Sequence, residues 1–291
     1  MKNVSTAVEV MDRDMGLFAA VKVLKEAGFD CYDCTFCGPT EERKQLFSSQ
    51  NYLESARKLR KYADELGIRC NQAHAQFPTS RGTDADAAIF QNVVENMEAA
   101  SILGAEIIVV HPMQHLNYAE HQRELFALNV DFYKRLIPYA QRFGIKVATE
   151  NMWQTNNGSR VPSDSVCSRA WEFCELIDAV DSPWLVGCLD IGHVSLMGAD
   201  IPAFIRTMGA KRLQALHLHD TDLQHDSHTL PYTLKVNYDE VIQALHEIGY
   251  QGDITFEAGN FFRNFPEPLL PSAAKLMADV GKYFASIVWP E

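Results

Sequence analysis

Short apolar runs alternate with amphipathic stretches along the whole chain. The apolar runs have strand length and sit at Ser5–Val10, Phe29–Thr35, Ile68–His74, Glu106–His111, Lys146–Glu150, Leu185–Asp190, Leu213–His219 and Ile254–Glu257. Between them, apolar residues recur at helical spacing over Met15–Ala27, Tyr52–Leu66, Ala87–Leu103, Glu120–Phe143, Val166–Val180, Ile201–Met208 and Tyr238–Ile248, with a last helix near Leu270–Phe284. Glycines at 28, 67, 104, 144 and 249 stand where a left-handed cap would stop a helix before the next strand. Asp84 and Asp239 stand near helix starts. Eight strands alternating with eight helices predict parallel β/α units, and the count fits a closed (β/α)8 TIM barrel. A doubly wound sheet is the alternative, but no Gly-x-Gly-x-x-Gly turn follows the first strand. No linker or charge block interrupts the pattern, so residues 1–291 read as one α/β domain. Gln114–Asn117, Gln154–Ser165 and Thr221–Val236 read as longer loops over the active face.

The strand ends carry the chemistry. In a barrel, functional groups sit where the strands end. Six successive strands end in His74, His111, Glu150, Asp190, His217 and Glu257, at spacings of 37, 39, 40, 27 and 40 residues. Spacings near one β/α unit place these side chains on one ring. Three imidazoles and three carboxylates packed together leave buried like charges, and a divalent cation relieves that cost. Mixed His and carboxylate donors suit Mn, Zn, Co or Fe without singling one out. His193 follows Asp190 by three residues, Asp226 and His228 lie in the loop after the seventh strand, and His219 shares a strand face with His217.

Composition limits the partners. The chain has 291 residues, 47% hydrophobic and 22% charged, as in an ordinary globular protein. Its net charge of −12 disfavours nonspecific attraction to nucleic acid or anionic membranes. No apolar run reaches the length of a membrane span, and the start lacks a basic region followed by an apolar stretch, so no signal peptide is expected. Seven cysteines with no repeating framework fit a reduced, cytoplasmic protein. Cys31, Cys34 and Cys37 are spaced so that, in a strand, they cannot all face one zinc, and they read as packed thiols.

These strings resemble the xylose isomerase-like barrel superfamily, which includes sugar isomerases and epimerases, inosose dehydratases and endonuclease IV. The resemblance runs from about Val4 to Phe284. It rests on Val109-Val110-His111-Pro112, Glu150-Asn151-Met152, Leu189-Asp190-Ile191-Gly192-His193, His217-Leu218-His219-Asp220 and Phe256-Glu257 in that order. It implies one divalent metal ion (Mn, Zn, Co or Mg) held by Glu150, Asp190, His217 and Glu257, with Asp226 and His228 as additional ligands. The endonuclease members hold three zinc ions with nine ligands, and each has a counterpart here: His74, His111, Glu150, Asp190, His193, His217, Asp226, His228 and Glu257. The flanking strings depart from those members, which carry Asp-Thr-Cys-His where this chain has Asp190-Ile191-Gly192-His193. They carry His-Leu-Asn-Asp-Ser-Lys where it has His217-Leu218-His219-Asp220-Thr221-Asp222. The sugar enzymes' frequent Pro-Gly-x-Gly is also replaced, by Pro231-Tyr232-Thr233-Leu234.

The resemblance therefore implies a metal-dependent isomerase or epimerase acting on a sugar, keto-sugar or sugar phosphate by proton abstraction beside a carbonyl. A dehydratase on a cyclic polyol or keto-sugar is the nearest alternative, and a tri-zinc phosphodiesterase or a non-catalytic sugar-binding barrel the more distant ones. Glu150 and Glu257 would be the acid–base pair as well as ligands, with His193 catalytic. His74, His111, His219, Trp153 and Arg263 would contact the substrate. Phe77 and Phe261 are further candidates to wall the apolar face of a sugar ring, Arg160 to meet an anionic group, and Asp33 to line the barrel. The expected partner is a small sugar rather than a membrane or nucleic acid, in a homodimer or homotetramer.

Overall fold

The computed structural model describes residues 3–8, 11, 15–37, 51–155 and 161–290. In chain order it runs β1 (Val4–Thr6), α1 (Leu17–Ala27), β2 (Cys31–Thr35), α2 (Tyr52–Leu66), β3 (Arg69–His74), α3 (Asp86–Leu103), β4 (Ile107–Val109), α4 (Tyr118–Phe143) and β5 (Lys146–Glu150). A hairpin of β6 (Trp153–Thr155) and β7 (Pro162–Asp164) follows, then α5 (Ala170–Val180), β8 (Leu185–Asp190), α6 (Ile191–Leu196), α7 (Ile201–Arg212) and β9 (Leu213–His217). The chain ends with α8 (Tyr238–Glu247), β10 (Ile254–Phe256) and α9 (Leu270–Val288).

Eight strands close into one parallel ring. Neighbours run β2-β3-β4-β5-β8-β9, and β1 pairs with β10 with Val4 opposite Ile254. Parallel bridges join the two groups at Ala7–Asp33 and Leu218–Phe256. The backbone confirms the closure: the Ala7 amide donates to Phe256 O at 2.8 Å and the Leu218 amide to Thr255 O at 3.0 Å. The expected TIM barrel is therefore the observed fold.

The helices form because one face of each is apolar and packs on the ring. On α2 the buried residues are Ala56, Leu59 and Ala63, and on α8 they include Tyr238, Val241, Ile242 and Leu245. Each fully buried Leu, Ile or Val contributes about 1.5–3 kcal/mol. Helix α3 stops at Gly104, whose φ of 89° is left-handed and whose amide caps the last turn. Helix α5 begins at Ala170 rather than Val166, because residues before it form a loop locked by Glu172, whose Oε2 accepts from the Cys167 amide at 2.9 Å. The Gln154–Ser165 stretch is not merely a loop: β6 and β7 pair antiparallel, Trp153 opposite Asp164.

The strand period of two builds the site in layers. Val109, Ala148, Val186, Cys188 and Ala215 form a small apolar cluster separate from the main core, with Ile107 against it. Two residues beyond its members on β4, β5, β8 and β9 lie His111, Glu150, Asp190 and His217. Side chains two apart share a face, so an apolar layer in the barrel passes directly into a polar one at its C-terminal rim.

Candidate metal and active site

The polar layer opens into a cavity of about 300 Å³ lined by Thr35, His74, Phe77, His111, Gln114, Glu150, Met152, Trp153, His193, Asp226, His228 and Glu257. At its base His217 Nδ1 lies 3.2 Å from Glu150 Oε1 and 3.3 Å from Glu257 Oε2. His111 Nε2 is 3.3 Å from the other Glu150 oxygen and 3.0 Å from His74 Nε2. Across the cavity Asp226 Oδ2 sits 3.4 Å from His193 Nε2 and 3.1 Å from His228 Nε2.

The histidine rings are fixed from behind. His74 Nδ1 meets Ala75 O at 2.8 Å, His193 Nδ1 meets Asn151 O at 2.8 Å, and His228 Nδ1 meets Glu257 O at 2.9 Å. A carbonyl can only accept, so each Nδ1 carries the proton and each Nε2 presents its partner side to the cavity. Backbone carbonyls of this kind set the tautomer of metal-binding histidines. Asp190 is held as firmly. Its Oδ1 accepts from the His193 amide at 2.6 Å, and His219 Nε2 lies 3.0 and 3.1 Å from its two oxygens. Asn151 ties β5 to β8, donating to Asp190 O at 2.9 Å and accepting from the Asp190 amide at 2.8 Å.

The charges are strongly coupled. Burial opposes ionisation of Glu150, yet the His217 and His111 rings hold its carboxyl well below the usual carboxylate range. Burial likewise disfavours a charged His193, but the Asp190 and Asp226 carboxylates push it up to about 10. His217 is raised well above the ordinary imidazole value, against burial, with Glu257 and Glu150 among the groups that raise it. Burial raises Glu257 against the pull of His217 and His228, whereas it lowers His111.

Several buried atoms have no hydrogen-bond partner among the described residues, including Glu150 Oε2, His217 Nε2, His219 Nδ1 and Asp226 Oδ1. Such atoms are rare in folded proteins and point to an ion or ligand. Three groups bring their donor atoms within 4.8 Å of one another: Glu150, Asp190, His217 and Glu257; His74, Glu150 and His217; and His193, His219, Asp226 and His228. Mixed nitrogen and oxygen donors at that separation fit a divalent transition metal.

Most of the expected residues meet here, and some do not. Trp153 and Phe77 line the cavity, with Trp153 Nε1 donating to Asp226 Oδ2 at 3.3 Å and Phe77 stacked on His111 at 4.8 Å. His219 is fully buried, absent from the cavity lining, and lies against Asp190, a candidate ligand. Arg263 is exposed and is absent from the lining, because the turn of residues 259–262 carries it outward. Phe261 packs on Phe262 and Phe265. Arg160 lies outside the described residues. Cys31 and Cys34 are buried, Cys37 is partly buried, and no cysteine joins a metal-type group among the described residues. Gln114 was missed; only its place two residues beyond Pro112, in a loop over the rim, could have signalled it.

The fold and site together define a closed parallel barrel that gathers histidine and carboxylate side chains from separate strands at its C-terminal rim. The chain belongs to the xylose isomerase-like TIM barrel family, whose profile matches residues 21–279. In sequence it is 27% identical over 195 residues to an uncharacterized protein of Methanocaldococcus jannaschii, and the match spans 64% of each chain. In structure it is similar to a D-tagatose 3-epimerase-like protein, with a TM-score of 0.78 and 21% identity, over 99% of this chain and 98% of that one. It is also similar to the IolI protein with a bound zinc atom, with a TM-score of 0.74 and 16% identity, over 99% and 98% of the two chains. No described helix is long and apolar enough to cross a membrane.

Proposed function

We propose that this chain is a metal-dependent isomerase or epimerase acting on a sugar, keto-sugar or sugar phosphate. The observation that carries the reading is the pair Glu150 and Glu257, which flank His217 Nδ1 from two strands at 3.2 and 3.3 Å and whose carboxyls are driven in opposite directions. Two acids pushed apart suit the two halves of a proton transfer. Glu150, Asp190, His217 and Glu257 would hold the cation, whose contribution when bound is to polarise the substrate carbonyl and orient it. Glu257, raised by burial and partly open to the cavity, accepts or returns the proton beside the carbonyl at Oε2. Glu150 stays ionised. His193 Nε2 and His111 Nε2 face the cavity and orient hydroxyls, while Phe77 and Trp153 cover an apolar ring face. The likeness to the D-tagatose 3-epimerase-like protein and the zinc-bearing IolI protein supports this reading.

A second reading has a specific observation behind it. His193, His219, Asp226 and His228 form a further donor group, and of the nine residues that correspond to the endonuclease ligands seven line the cavity, with Asp190 and His217 in the donor group that shares its Glu150 and Glu257. That favours more than one cation, and with three zinc ions it would favour phosphodiester hydrolysis. The discriminating experiment is solvent exchange. Metal-loaded protein in deuterium oxide with ketohexoses should incorporate deuterium next to the carbonyl by proton NMR, and Glu150→Gln and Glu257→Gln should each abolish it. Cleavage of an abasic-site oligonucleotide without any exchange would favour the second reading instead.

A further inference from the structure

His217 is held differently from three other rings of the site. His74, His193 and His228 are each pinned by a backbone carbonyl. His217 turns Nδ1 to Glu150 and Glu257, and its other nitrogen, Nε2, is buried without a hydrogen-bond partner. The acidic group beside that nitrogen is Asp33, whose Oδ2 lies 3.7 Å away. Both side chains are only 1% exposed.

Asp33 has one side-chain hydrogen bond, from Gln72, and that neutral amide does not balance its charge. Its Oδ1 is buried and unpartnered, and His217 is the only cationic group paired with it among the described residues. Burying a carboxylate without a positive partner is costly, so its presence at this position calls for one. Its placement is also constrained. The β2–β3 register shifts between Tyr32 and Asp33, and the shift sets Asp33 opposite Gln72. Gln72 Nε2 then donates to Asp33 Oδ2 at 2.9 Å. The His74 ring stacks on His217 at 5.6 Å and 18°, which fixes the plane in which Nε2 points. The buried Cys188 thiol also influences the ring, but sulfur is a weak acceptor.

We infer that Asp33 is a positioning residue for His217: held by Gln72, it accepts the His217 Nε2–H and so fixes the ring with Nδ1 toward the cation site. The inference rests on the reading of His217 as a metal ligand. A cation drawn to Nδ1 requires the proton on Nε2, and Asp33 is the acceptor within a small movement of it. The carboxylate also makes Nδ1 a better donor, as outer partners of metal-bound histidines do. Asp33 need not touch the substrate for this role.

The test is a manganese titration of the metal-stripped protein, read by the electron paramagnetic resonance signal of the free ion. The binding step of interest is the one that His217→Ala removes. Asp33→Asn should weaken that step about tenfold or more, and Asp33→Ala further, in line with the usual 10–100-fold cost of losing such a partner. The metal-free melting temperature is measured alongside, because removing Asp33 leaves buried Gln72 and His217 nitrogens without their acceptor. Gln72→Met, which keeps Asp33 but frees it, should give a smaller loss and serves if the Asp33 variants do not fold. In zinc-loaded protein a protected His217 Nε2–H resonance should be present in the parent and lost in Asp33→Ala. Unchanged manganese affinity in Asp33→Asn and Gln72→Met overturns the inference while leaving the metal site standing. If the parent binds no manganese, the metal reading and this inference fall together.

Discussion

Replacing Gly192 by alanine tests the clamp on Asp190 more sharply than any ligand deletion. A Cβ built at residue 192 overlaps His219 Cε1 and Nε2 and comes within 2.6 Å of Nδ1. The ring cannot retreat freely, since His219 is fully buried and stacks on His228 at 4.1 Å. Accommodating the methyl therefore draws Nε2 off both Asp190 oxygens. Overpacking costs about 1–3 kcal/mol. The lost bond to a charged partner costs about 1.5–3 kcal/mol. Helix propensity returns about 0.5–1 kcal/mol, because residue 192 sits in α6. The net is about 3 kcal/mol, which lowers the melting temperature by roughly 5 °C in a protein of this size. Thermal unfolding by circular dichroism reads it. Coupling gives the decisive comparison: in a His219→Ala background the alanine at 192 meets no ring and should cost almost nothing more. A Gly192→Ala variant melting within about 2 °C of the parent would refute the reasoning, as would full additivity with His219→Ala.

Two further outcomes follow from other parts of the site and the fold. His228→Ala should lower the zinc content of fully loaded protein, measured by elemental mass spectrometry, by about one ion per chain if the His193–Asp226–His228 group holds a cation; unchanged content would leave that group as a polar network only. Burial raises the Glu172 carboxyl despite its bonds from Tyr118 and the Cys167 amide. A raised acid favours the fold in its protonated form, so its contribution is present below the unfolded value and is lost as pH rises through the folded one. Glu172→Gln should therefore remove that loss, melting no lower than the parent at pH 7 and with a flatter stability profile upward from about pH 4.5. A variant that loses stability over that window would show the carboxylate to be the favoured form.

Much of the barrel was legible because its signals are local. The polar residues at His74, His111, Glu150, Asp190, His217 and Glu257 each close an apolar run, and the regular spacing of those runs places them on one rim. The ring closure and the Gly-capped helices follow from the same repetition. What the sequence leaves open is direction rather than position. His219 has the same parity as His217 and was expected to meet substrate, yet the absent side chain at Gly192 lets its ring turn under Asp190. Arg263 follows Glu257 closely in sequence, but the turn of residues 259–262 carries it outward. The β6–β7 hairpin escaped because three-residue strands with Gln, Ser and Asp have no apolar alternation to betray them. Asp33 is legible as a lining residue, but its pairing with Gln72 depends on a register shift, which no single strand's sequence records.

The ring is closed by strands 250 residues apart, with Val4 beside Ile254, and its candidate ligands run from His74 to Glu257. No contiguous stretch of the chain owns the site. A bound cation would consequently act as a keystone: its binding energy is returned to the whole arch. At a hundredfold excess over its dissociation constant that amounts to about 2.7 kcal/mol. A chain cut short before β10 would lack Glu257 and the strand that closes the ring on β1, and with them part of that energy.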